Sequence, residues 1–137
     1  MRGTTQKLKL LYLKEIFEEE TDNEHAISMP TIVEELNKRG VPAERKSVYD
    51  DIRLLQDEYG LSIAHEDGGR TYRLEEHDFE FSELKLIIDA VSSCKTLSEK
   101  KSLQLIDKLK KLCSKHERAT LHRQIIVTDR AKTQNPQ

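Results

Sequence analysis

The sequence has little that would mark a membrane protein or an enzyme. No apolar run approaches the roughly 18 residues of a membrane-spanning helix, and the polar N-terminus lacks the apolar core of a signal peptide. There is no glycine-rich phosphate loop, no paired catalytic carboxylates and no Cys/His nucleophile arrangement. Only 36% of the residues are hydrophobic, which argues against a large buried enzyme core. We therefore expect a cytoplasmic protein without enzymatic activity or membrane contact.

Cysteine is also scarce. Cys94 and Cys113 are the two cysteines, and no CxxC spacing occurs. Two isolated cysteines are typical of reduced thiols rather than of a disulfide framework. His116 and His122 lie near Cys113, but their spacing matches no known zinc-ligand pattern. The sequence predicts no metal site and no cofactor.

Charge is abundant but unevenly distributed around a net value of −2. Residues 28–74 hold seven bases and nine acids, and residues 75–81 hold four acids and no base. Residues 82–137 instead hold twelve bases and six acids. Any nucleic-acid contact within 28–74 would therefore depend on the local placement of a few cations rather than on a global positive field.

Hydrophobic periodicity predicts three helices in the first 60 residues. The first covers residues 6–19. The second begins near Ser28 or near Thr31, both of which are good N-caps, and ends at Gly40. The third covers residues 44–59 and has one apolar face.

A β-hairpin follows the three predicted helices. Two short alternating runs, at 61–65 and 70–74, flank the turn sequence Asp67-Gly68-Gly69. Three helices followed by a hairpin is the order of a winged helix-turn-helix, whose third helix reads DNA. The expected fold class is thus mainly α with a small β-hairpin, with a winged helix-turn-helix DNA-binding domain at 1–75 and a helical segment after it.

That helical segment is expected to be a linker or dimerisation region at 76–127, followed by a polar tail at 128–137. Ser82 and Ser98 are the predicted N-caps of its two helices, and residues 125–127 could form a short strand. The two helices have more apolar surface than they can bury on each other, so they are the candidate interface of a homodimer; packing against the first helix is the alternative.

Five lysines occupy the polar face of the second of these helices. A solvated helix face explains such a set, and a second nucleic-acid surface is the alternative. The five are Lys100, Lys101, Lys108, Lys110 and Lys111.

Long hydrogen-bonding side chains cluster on the outward face of the third predicted helix. Lys46 and Arg53 could donate to guanine, and Asp50 could accept from cytosine or pair with Arg53. Neighbouring side chains could hold phosphates, as could the second helix N-terminus and the hairpin. The full set of candidate DNA-binding residues is Ser28, Thr31, Arg45, Lys46, Ser47, Tyr49, Asp50, Arg53, Arg70, Tyr72 and Arg73.

Four segments resemble the N-terminal region of WYL-domain transcriptional regulators. They are the reader helix at 44–55 (ERKSVYDDIRLL), the hairpin at 67–74 (DGGRTYRL), and the stretches at 79–91 (FEFSELKLIIDAV) and 96–102 (TLSEKKS). The resemblance covers about residues 7–133. It implies a DNA-binding winged helix joined by helices to a ligand-sensing WYL domain.

Two departures from that family matter. Position 50 is often arginine in the family and is Asp50 here, which removes a possible phosphate or base donor. No WYL domain follows, so we expect any effector to act through a domain outside this chain. The leading hypothesis is a sequence-specific DNA-binding regulator, dimeric and nucleoid-associated, with double-stranded DNA as its partner. The alternative is a winged-helix protein-interaction module without DNA binding, which the acidic balance of 28–74 favours.

Overall fold

The computed structural model describes residues 2–123, with side chains described from Gln6 onward. The backbone is mainly helical with one small antiparallel sheet, which confirms the expected mainly α class with a hairpin. The sheet has a third strand that the sequence pattern did not predict. The chain divides after His77 into two compact units, which are described separately below.

The first unit contains three helices and three strands. The helices are α1 (Arg2–Glu20), α2 (Met29–Lys38) and α3 (Arg45–Leu54), and α3 runs on into a wider π-helical turn at Leu55–Tyr59. The strands are β1 (Ile27–Ser28), β2 (Ile63–Glu66) and β3 (Thr71–Leu74). The three predicted helices and the predicted hairpin are therefore all present.

The central strand of the sheet is β3, in the order β1-β3-β2. Tyr72 lies at its middle, opposite Ile27 on one side and His65 on the other. Because side chains alternate along a strand, Tyr72 and Leu74 point into the core while their neighbours point away from it. One hydrophobic cluster holds the sheet against all three helices, and its fully enclosed members include Leu13, Ile16, Phe17, Ile32, Leu36 and Val48.

The ends of α2 resolve one of the alternatives that the sequence left open. Ser28 is the N-cap, and its hydroxyl accepts a hydrogen bond from the Thr31 amide at 3.4 Å. At the other end Gly40 has a φ of +80°, which glycine adopts without steric cost. Its amide donates to Asn37 at 3.0 Å, and the next amide donates to Leu36 at 3.0 Å, so α2 ends in a Schellman motif.

Three of the four residues in the loop between β2 and β3 have left-handed backbone angles. Asp67, Gly68 and Gly69 have φ values of 53°, 66° and 85°. The Gly69 and Arg70 amides both donate to the Glu66 carbonyl, at 3.0 and 3.1 Å. The turn predicted from Asp-Gly-Gly is confirmed, because two glycines supply the backbone angles that the turn needs.

The second unit contains α4 (Phe81–Ser92) and α5 (Glu99–Lys110), and its backbone is helical again at residues 115–123. This last helical stretch was not predicted. The two named helices pack around a small cluster that buries Leu84, Ile88, Ile106, Cys113 and Leu121.

Two sequence predictions about these helices had different outcomes. Ser98 caps α5 as predicted, with its hydroxyl accepting from the Lys101 amide at 3.2 Å. The prediction that Ser82 caps α4 was wrong: Glu80 is the cap and forms a capping box with Glu83, whose carboxylate accepts from the Glu80 amide at 2.9 Å. The short strand predicted at 125–127 and the tail at 128–137 lie outside the described residues.

Candidate nucleic-acid interface

The outward face of α3 is polar and the inward face is apolar. Val48 and Ile52 are buried, at 0% and 2% exposed. Successive residues turn by about 100° along a helix, so Lys46, Asp50 and Arg53 lie on the opposite side and Tyr49 lies on its flank. Arg45, the first residue of α3, is also exposed, and these five side chains make up what we call the outward face of α3.

The cations on this face have no acidic partner within the described part of the chain. Arg45, Lys46 and Arg53 make no ion pair among residues 6–123, and the Asp50–Arg53 pair considered above does not form there. The helix therefore presents three positive side chains and one carboxylate to solvent, each free to bind an external group.

A buried ion pair joins α3 to α1. The Lys9 ammonium lies 2.7 Å from the Asp51 carboxylate and also donates to the Ser47 hydroxyl. The Lys9 side chain is only 4% exposed and that of Asp51 is 22% exposed. Ser47, predicted to contact phosphate, thus points to the α1 side of α3 and already has a partner.

The position of Lys9 in the sequence indicated this contact, although a lysine is not expected among buried residues. Lys9 precedes Leu13 by four residues and Ile16 by seven, so its position belongs to the buried stripe of α1. A lysine there needs an anionic partner from another element, because burial of an unpaired charge is costly. Asp51 supplies that partner.

The hairpin offers one unpaired arginine rather than two. Arg70 is exposed at the end of the loop and makes no ion pair among the described residues. Arg73 instead pairs with Glu66 across the hairpin and contacts the Asn23 side chain at 3.4 Å. Hydrogen bonding to Glu66 raises the pKa of Arg73, so this guanidinium is engaged within the protein.

Tyr72 is a core residue, contrary to the prediction that it lies at a DNA-binding surface. Its side chain is 1% exposed. The ring packs edge-on against His65 at 4.9 Å and against Tyr49 at 6.5 Å between centroids. Together with Gln56 these rings form what we call the aromatic seam. The Gln56 side chain donates to the Ile63 carbonyl at 2.9 Å and lies 3.1 Å from the His65 ring. The hairpin is thereby fixed to α3 and to the turn that follows it.

The N-terminus of α2 was the remaining predicted phosphate site. Thr31 is exposed and Ser28 is half-buried, and their hydroxyl oxygens lie 2.9 Å apart. The Ser28 hydroxyl already accepts a hydrogen bond from the Thr31 amide, so an anion bound here would compete with Ser28 for that amide. This end of α2 is therefore a weaker candidate than the outward face of α3.

No protein-family model, curated protein or solved structure matches the chain. Within the described residues, no group of three or more His, Cys, Asp or Glu side chains is placed to hold a metal ion. Over the same range, no helix has both the length and the apolar character required to cross a bilayer.

Replacing Lys9 should uncouple α1 from α3. We expect Lys9→Met to lower the free energy of unfolding by roughly 2–4 kcal/mol, because Asp51 keeps its charge and loses its partner. The double variant Lys9→Met/Asp51→Leu should recover most of the loss, since it removes both charges. Urea unfolding of the two single variants and the double variant measures the coupling; additive effects would show that the pair does not link the helices.

Ionisation of Tyr72 should destabilise the fold at high pH. Burial and the neighbouring Tyr49 raise the pKa of Tyr72 to about 12, above its ordinary value of 10.0. A raised folded-state pKa means that the stabilisation is complete below pH 10 and is lost as the pH rises from 10 to about 12. Comparing unfolding free energies from pH 8 to 12, we expect wild type to lose roughly 2–3 kcal/mol more than Tyr72→Phe.

The exposed Tyr59 provides the control for this comparison. Tyr59→Phe should follow the wild-type pH dependence, since this substitution leaves the buried hydroxyl of Tyr72 in place. If Tyr72→Phe and wild type lost stability in parallel, the buried hydroxyl would not be the titrating group.

Proposed function

We propose that the first unit is a winged helix-turn-helix and that the chain is a sequence-specific DNA-binding transcriptional regulator. The observation that carries this proposal is the outward face of α3, where three cations and a carboxylate have no ion-pair partner in the described chain. The element order supports it: α2, a tight glycine turn and α3 precede a hairpin with an exposed arginine in its loop.

In this proposal α3 enters the major groove and reads base edges. Arg53 and Lys46 donate to guanine O6 and N7, and Asp50 accepts from the cytosine amino group. Each good contact of this kind discriminates between bases by about 1–3 kcal/mol. Arg45 and Tyr49, at the edges of the same face, hold phosphates and so set the register of the helix on the duplex.

The β2–β3 hairpin acts as the wing in this arrangement. Arg70 is its DNA contact, either on a phosphate or in the minor groove. The two other hairpin candidates have structural roles instead, because Tyr72 is buried and Arg73 pairs with Glu66. The proposed DNA-binding set is therefore smaller than the one that the sequence suggested.

The second unit is the proposed dimerisation segment; in the WYL-type regulators that the sequence resembles, the matching stretch joins the DNA-binding and WYL domains. A dimer is expected because one winged helix reads few base pairs. Leu86 and Leu103 support this assignment, since they are 71% and 57% exposed on α4 and α5. In this proposal the protein works in the cytoplasm, on the nucleoid.

A protein-interaction module without DNA binding is the second candidate. It is favoured by the acidic balance of residues 28–74 and by Asp50 at the centre of the outward face. The two candidates are distinguished by sequence preference. Retention on a heparin column would not distinguish them, because a basic surface anywhere on the chain could cause it. Selection of binding sites from a random duplex library should enrich one motif if the chain is a regulator and none if it is an interaction module.

Loss of the α3 cations should abolish sequence preference. We expect Arg53→Ala and Lys46→Ala each to weaken binding to the selected duplex by roughly 5- to 150-fold, the equivalent of 1–3 kcal/mol. Affinity for a scrambled duplex should change only a few-fold. Fluorescence anisotropy with both duplexes measures this. Lys38→Ala, which removes an exposed cation at the far end of α2, is the matched control; variants that bind like it would contradict the proposal.

Arg70→Ala should act through the phosphate backbone. We expect it to weaken binding to the selected and scrambled duplexes equally and to reduce the slope of log K against log salt by about 0.9. The measurement is a salt titration of both complexes. A loss confined to the selected duplex would instead show that Arg70 reads a base.

A further inference from the structure

One face of α5 carries a row of lysines that the proposed reading surface does not use. With Ile106 taken as the buried centre of the helix, these lysines lie within about 60° of the opposite side. We call this row the lysine face; its members, all exposed, are Lys100, Lys101 and Lys108 on α5 and Lys111, the C-cap residue directly after it.

The lysine face has no intramolecular counter-charge. None of its four ammonium groups makes an ion pair among the residues that the structure describes, although Asp107 and Glu99 lie on the same helix. Lysines on other helices form ion pairs: Lys14 lies 2.9 Å from Glu18, and Lys38 lies 3.7 Å from Glu34. These four positive charges are thus available to an external anion.

The surrounding sequence reinforces this charge. Residues 95–123 hold nine bases and three acids, a net charge of +6, whereas residues 1–94 hold twelve bases and 21 acids, a net charge of −9. A segment this basic attracts polyanions over the length scale of the Debye screening, about 10 Å at 0.1 M salt. The preferred partner of the lysine face is therefore polyanionic.

The composition of α5 favours duplex nucleic acid among the polyanions. Single-strand binding relies on aromatic side chains that stack on bases, and α5 contains none. Protein interfaces are depleted in lysine, so an acidic protein is a poorer match. From Lys100 to Lys111 the helix rises about 16 Å, a length along which one strand of a duplex presents several phosphates.

We propose that the lysine face binds the phosphate backbone of duplex DNA without regard to sequence. This inference rests on the proposed function only in taking duplex DNA as the polyanion. The lysine face would supply general attraction to DNA, which the first unit lacks, because residues 28–74 have a net charge of −2 and contribute little of it. General affinity would then come from α5 and sequence preference from α3.

The test compares two variants of the full chain with equal net charge. Lys101→Gln/Lys108→Gln/Lys111→Gln removes three of the four charges of the lysine face, and Lys7→Gln/Lys38→Gln/Lys85→Gln removes three lysines outside the basic segment 95–123. Glutamine keeps nearly the helix propensity of lysine, and circular dichroism checks that both variants fold. The probe is a random-sequence 30-base-pair duplex, titrated with salt.

We expect the lysine-face variant to lose at least roughly tenfold in affinity near 0.1 M salt and up to about 2.7 in the slope of log K against log salt. The control should stay within about threefold of wild type. Equal behaviour of the two variants would overturn the proposal. So would wild-type binding to vesicles containing phosphatidylserine, or to a polyglutamate peptide, in the absence of binding to the duplex.

The two proposals fail in distinguishable ways. If one motif is enriched but the lysine-face variant matches its control, sequence reading by α3 stands and the α5 inference falls. If no motif is enriched while the lysine-face variant loses affinity for random duplex, the α5 inference stands and sequence reading falls. A lysine-face variant that loses affinity for both duplexes but keeps the wild-type ratio between them would support both.

Discussion

The buried ion pair between Lys9 and Asp51 fixes how α3 is oriented in the first unit. Both side chains are largely shielded from water, so each charge is stabilised mainly by the opposite charge of its partner. The Ser47 hydroxyl accepts a further hydrogen bond from the same ammonium. Because Ser47 and Asp51 are one turn apart on α3, the contact restrains rotation of this helix about its axis. The side of α3 that faces solvent is determined as a result.

A second restraint comes from the aromatic seam around Tyr72. His65 and Tyr49 pack against its ring from β2 and α3, and Gln56 bonds to β2 from the turn beyond α3. The hairpin and α3 are thus held as one piece, with the exposed cations of each left unpaired. A rigid support is what a reading surface requires, since hydrogen bonds to base edges tolerate little displacement.

Elements with a long periodic pattern could be predicted from the sequence. The helices and the Asp-Gly-Gly hairpin follow from spacing and turn chemistry. Strand β1 could not, because two residues are too few to show alternation. The Ser82 cap was wrong because Glu80 and Glu83 satisfy each other's backbone groups two residues earlier. Tyr72 was assigned to the DNA-binding set because it lies in the predicted hairpin beside Arg70 and Arg73, whereas strand alternation places its side chain with that of Leu74 in the core.

Sequence could propose a set of DNA-contacting side chains but not which of them are free. That distinction depends on tertiary partners, because Lys9 bonds to Ser47 and Glu66 pairs with Arg73. The remaining set, with Lys46, Arg53 and Arg70 at its centre, is small and lies in an acidic unit. In the proposed function, specific recognition at a matched site is stronger than general attraction by this unit alone, and the lysine face is the proposed source of general attraction.

Amide chemical-shift mapping of the full chain, titrated with its selected duplex, tests the central claim most directly. The account predicts that the largest changes in the first unit fall at residues 45–53 and 67–70, while the first turns of α1 stay unchanged. Shifts confined to the second unit, or spread along α1 with none at α3, would contradict the claim that α3 and the hairpin loop contact DNA.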